Sequence, residues 1–99
     1  MLYAIVGRDG PEGVSRRREV RPAHLARVRE LVAAGRIVVA GPLPAVDAPD
    51  PGPAGFHGSL IVGEFESLQA AREWIAADPY VTAGVFESVD VHPFVQVFP

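Results

Sequence analysis

Four runs rich in Val, Ile and Phe, from Leu2 to Arg8, Arg36 to Gly41, Gly58 to Phe65 and Phe86 to Phe98, alternate with two stretches of helical periodicity. Their order, β-α-β-β-α-β, is the split βαβ or ferredoxin-like arrangement, and no internal repeat offers a competing division. The expected fold is α+β: a four-stranded antiparallel sheet in the order 4-1-3-2, with two helices on one face. Residues 1–99 make one domain, since chains this short rarely divide. With 48% hydrophobic and 21% charged residues, the chain can fill a core and carries too little charge for disorder.

The first helical stretch, Arg21 to Gly35, has Pro22 in its first turn and Gly35 at its end. At about 100° per residue, Val20, His24, Val28, Leu31 and Val32 share one stripe, while Ala23, Ala26, Arg29, Glu30 and Ala33 take the other side. An imidazole therefore lies where an apolar side chain belongs, and burial without a partner would cost it about 1–3 kcal/mol. In the second stretch, Ser67 to Asp78, the buried pattern of Leu68, Ala71 and Ile75 continues onto Asp78, again a polar group on an apolar stripe. The connectivity expected for the fold brings the start of the first helix, the end of the second and the loop from Pro42 to His57 to one end of the domain. His24 and Asp78 are thus expected to meet.

Each residue also has a structural reading. His24 can be a core histidine bonded to a carbonyl. Asp78 before Pro79 can cap a short turn through Tyr80 to Gly84, and a capping carboxylate keeps a second oxygen for an imidazole. Arg16, Arg17, Arg18 and Arg21 form the one basic cluster, a solvated first turn in the simplest reading. Arg17 and Arg21 nevertheless share the stripe of His24, where either can hold an anionic substrate. The loop from Leu43 to His57 is longer than a hairpin needs and, with Pro42, carries five prolines, as a lid or a surface excursion does. Asp47, Asp50 and His57 match no metal-ligand spacing, so no metal site is expected, and His92 beside Pro93 reads as an edge feature of the last strand.

The chain resembles the YCII-related domain family. The resemblance rests on Met1–Ala4, Arg21–Leu25, Gly35–Pro42, Gly58–Leu60, Ala77–Tyr80, Ala83–Val85 and Val91–Phe94, and in combined order and spacing it covers nearly the whole chain. It implies a fold of the dimeric α+β barrel kind and an active-site His/Asp pair, at His24 and Asp78. Ser59 and Tyr80, from the matched segments, become pocket donors without a nucleophile signature.

The first functional expectation is a small-molecule enzyme of lyase, isomerase or hydrolase type, in which His24 exchanges a proton and Asp78 fixes its tautomer. No organic cofactor is expected, because no dinucleotide or phosphate-loop pattern is present. A non-catalytic metabolite-binding module and a cofactor-free oxygenase, the latter by fold analogy, stay open. A net charge of −3 gives no attraction to nucleic acid. The absence of cysteine and of an apolar run of roughly 18 residues points to a cytoplasmic protein away from membranes. Tyr3 and Ile5 alternate with Leu2, Ala4 and Val6, and Ile61 and Phe65 with Leu60 and Val62. Both faces of the central strands are then apolar, so a homodimer is expected.

Overall fold

The computed structural model describes residues 1–99. Strand β1, Leu2–Asp9, leads to helix α1, Gly13–Ala33, and strand β2, Ile37–Pro44. A single 3-10 turn at Gly52–Ala54 precedes strand β3, Phe56–Glu64. Helices α2, Leu68–Ala76, and α3, Pro79–Thr82, then lead to strand β4, Phe86–Phe94. All pairings are antiparallel and the order is β2-β3-β1-β4, the expected 4-1-3-2 seen from the other edge.

Alternation along the strands selects the helix-covered face. Ile5 pairs with Ile61 and with Val91, and Tyr3, Ile5 and Ile61 pack against Val28 and Leu31 of α1 and Ala71 and Ile75 of α2. Each large apolar side chain so buried contributes about 1.5–3 kcal/mol. On the opposite face Leu2, Ala4, Val6 and Leu60 are half-buried and Val39 is exposed.

Helix α1 starts eight residues before the expected Arg21 and runs through Pro22. The proline lacks an N–H for the Arg18 carbonyl, and such a loss usually marks a helix start. Here tertiary contacts hold the earlier turns in place: Arg17 pairs with Asp9, and Arg16 donates to the Ala83 carbonyl. His24 consequently lies mid-helix and not in a first turn. Val32, expected on the buried stripe, is 56% exposed.

Two further boundaries differ. The hairpin from β2 to β3 reaches Pro44 and Phe56, taking in prolines because β2 is an edge strand. Strand β4 ends at Phe94 and not at Phe98, because its partner β1 begins at Leu2, which already pairs with Phe94. No helix is long and apolar enough to cross a membrane.

Candidate active site

Asp78 does not end α2. It caps the separate α3, with Pro79 in the first turn and its Oδ2 accepting the Tyr80 N–H at 2.9 Å. This is the capping geometry that an Asp-Pro pair favours. The same Oδ2 lies 2.8 Å from His24 Nδ1, and Oδ1 accepts from Arg27 Nη1 at 2.9 Å. Capping and imidazole contact therefore share one oxygen, and the second is held by a cation that the sequence did not single out. Arg27 also stacks over Trp74, its guanidinium carbon 4.5 Å from the ring centroid.

The Asp78 side chain is fully buried. Burial pushes its carboxyl up, but the His24 ring, the Tyr80 amide and the Arg27 guanidinium together hold it below the ordinary 3.8. An ionised Asp78 accepts a hydrogen from Nδ1, which assigns the neutral ring to the tautomer with its lone pair on Nε2. No buried side-chain nitrogen or oxygen lacks a partner, and Nε2 makes no protein hydrogen bond, so Nε2 reaches open space.

That space is a cavity of about 210 Å³ between α1 and the β2–β3 edge, bordered by Arg21, His24, Gly41, Pro42, Ser59 and Tyr80. Tyr80 stacks on His24 with ring centroids 3.9 Å apart and planes 9° from parallel. Burial raises the Tyr80 phenol above its ordinary 10.0, against the opposing pull of Arg17 and Arg21, so at neutral pH it is a hydrogen-bond donor and not a base. Ser59 Oγ accepts from Arg17 Nη2 at 2.9 Å, which leaves its own hydrogen available.

Arg17 is itself buried and forked onto Asp9, with Nε to Oδ2 at 2.6 Å and Nη2 to Oδ1 at 2.9 Å. It lies under the aromatic wall, 4.9 Å from the Tyr80 centroid and 5.0 Å from that of Phe56. Arg21 is exposed and belongs to none of the ion pairs. Of the two expected anion binders, Arg17 is held by Asp9 and Ser59 while Arg21 is free. Asp9 was not singled out either, because a charged residue at a strand end reads as a turn.

His57 and His92 are exposed, and no group of three potential metal ligands gathers anywhere in the chain. The loop after β2 folds back through the buried Pro51 and Gly55 toward the first turns of α1, where Gly55 abuts Val14. A larger open groove of about 560 Å³ lies along β4 and α2, at the edge of the sheet away from His24.

The depressed Asp78 carboxyl has a consequence for stability. A carboxylate with a lowered folded pKa stabilises the fold above its unfolded value and loses that contribution as pH falls through the folded value. Asp78→Asn is therefore expected to be less stable than the parent protein at neutral pH. The gap should begin to narrow below about pH 3.8. Urea denaturation at several pH values measures it; a gap independent of pH would contradict the ionised assignment.

Comparison with known proteins agrees in fold and along the sequence. The chain is 56% identical over 98 residues to the protein YciI of Escherichia coli O6:H1, covering 99% of this chain and all of that one. The YciI protein of Shigella flexneri matches equally well. Among solved structures, the 5-chloro-2-hydroxyhydroquinone dehydrochlorinase (TftG) of Burkholderia phenoliruptrix AC1100, in complex with 2,5-dihydroxybenzoquinone, is similar with a TM-score of 0.83 and 31% identity. That alignment covers 97% of this chain and 95% of the other. The YCII-related domain matches residues 1–95, and the chain belongs to that family.

Proposed function

We propose that the protein is an acid–base enzyme acting on a small organic molecule, with His24 transferring the proton and Asp78 holding its tautomer. The observation that carries this reading is the 2.8 Å contact from Nδ1 to a fully buried carboxylate, with Nε2 open to a cavity. Nε2 takes a proton from a substrate O–H or C–H, and Asp78 stabilises the imidazolium that results. The electron pair released shifts toward the leaving group, which departs with its own bonding pair. The imidazolium then returns the proton to that group or to water. Tyr80 and Ser59 supply neutral O–H donors to an oxygen that gains charge on the way, and Arg21 supplies the cation at the cavity mouth.

Among the reaction classes open to such a dyad, elimination is favoured because the structurally similar TftG is named a dehydrochlorinase. A cavity of about 210 Å³ suits a molecule of roughly one ring, smaller than drug-sized ligands require. The test is turnover of a panel of halogenated and unhalogenated hydroxyhydroquinones, read as halide release and as the change in absorbance. Turnover that depends on His24 supports the reading. Saturable binding of 2,5-dihydroxybenzoquinone with no turnover across the panel would replace it with a metabolite-binding module.

We also propose a homodimer formed through the uncovered sheet face. Leu2, Ala4, Val6, Val39 and Leu60 make that face apolar, and the helices all lie on the other side. An apolar sheet face that no helix covers is the kind of surface a second copy buries in a symmetric dimer. Sedimentation at micromolar concentration is expected to give twice the chain mass; a monomer would contradict the proposal.

A further inference from the structure

Beside the cavity that holds His24 lies a second cavity of about 390 Å³, bordered by the loop at Asp50, Pro51 and Gly52. The two share Arg17, Arg21, Pro42 and Tyr80 in their linings, so they lie side by side along the arginine-bearing face of α1. A substrate longer than one ring, seated against His24, has this neighbouring outer chamber to extend into. Resting on the acid–base reading and deepening it, we propose that the outer chamber is an anion subsite. It takes a carboxylate, or a similar anionic substituent, of the substrate whose reacting end lies against His24.

The charges there are arranged for an anion. Of the four arginines in the first turns of α1, Arg16 pairs with Glu12 and Arg17 with Asp9. Arg18 and Arg21 enter no ion pair, and both line the outer chamber. They are three residues apart and so share a helix face. The one acidic residue in the chamber, Asp50, accepts the Gly52 N–H with Oδ1 at 2.9 Å. In a chain of net charge −3, two unpaired guanidinium groups at one cavity are available to an outside anion. Val14 and Phe56 add apolar wall, which strengthens a charge-assisted contact by excluding water.

The experiment is an NMR titration of ¹⁵N-labelled protein with matched pairs of aryl carboxylates and their carboxamides, 4-hydroxyphenylacetate and 4-hydroxycinnamate among them. The carboxylates are expected to bind about tenfold more tightly than the amides and to shift the Nε–Hε signals of Arg18 and Arg21. Arg18→Gln should remove most of that advantage without changing the affinity for the amides. Equal binding of acid and amide, no binding of either, or shifts confined to other arginines would overturn the proposal. The readout is binding and not turnover, so the two readings fail separately. Loss of the carboxylate preference beside a rate collapse in His24→Asn removes the subsite and keeps the acid–base chemistry. A preserved preference with turnover untouched by His24→Asn does the reverse.

Discussion

Replacing His24 with Asn is expected to lower turnover of a true substrate by about 10²–10⁴-fold while the fold persists. The asparagine amide can donate to Asp78 Oδ2 near the position of Nδ1, so the buried carboxylate keeps its partner, and Arg27 and the Tyr80 amide still hold the rest of it. What disappears is the second ring nitrogen, the one basic atom at the cavity. The stack on Tyr80 is also lost, a contribution of about 0.5–1.5 kcal/mol, so a modest fall in melting temperature should accompany the kinetic effect. Turnover and thermal melts on the same preparations separate the alternatives. A variant that melts much lower yet turns over normally would make His24 a core residue that Asp78 merely satisfies.

The encounter of His24 with Asp78 was legible because the β-α-β-β-α-β connectivity brings both to one end of the domain and burial obliges such polar groups to pair, although Asp78 sits in the cap of α3 and not on the α2 stripe where the periodicity puts it. The exact frame of α1 was not legible, since Pro22 signals a start that contacts from Asp9 and Ala83 override. Once the frame is known, helical geometry accounts for the rest. At about 100° per residue, Arg17 points within about 20° of His24 and is buried, whereas Arg21 and Arg27 flank it by about 60° on either side. One flank opens on the cavity and the other reaches Asp78. Val32 lies about 80° away, at the border of the stripe, and meets solvent. Arg27 could have been found from this spacing alone: it stands three residues after His24, within reach of whatever the imidazole binds. Asp9 could not, because only the antiparallel packing of α1 on the sheet brings a strand end to a helix residue eight positions later.

That Asp9–Arg17 pair carries a large expected stability effect. Its side chains are 5% and 9% exposed, so Asp9→Ala strands a guanidinium in a site with little access to water. Breaking a buried pair from one side typically costs about 3–5 kcal/mol. In a domain of this size that means a fall in melting temperature of more than about 10 °C. Removing both charges, as in Asp9→Ala with Arg17→Met, should recover much of the loss, since the stranded charge is what penalises the single variant. A loss below about 1 kcal/mol in Asp9→Ala would show that solvent screens the pair. The double variant also separates scaffold from chemistry. Arg17 holds Ser59 Oγ and lies beneath the Tyr80 ring, so a thermally restored double variant still leaves both donors without their support. It should fold normally and turn over slowly, with the loss in kcat and not in the stability of the protein, as expected of a cation that borders the cavity and positions Ser59 and Tyr80.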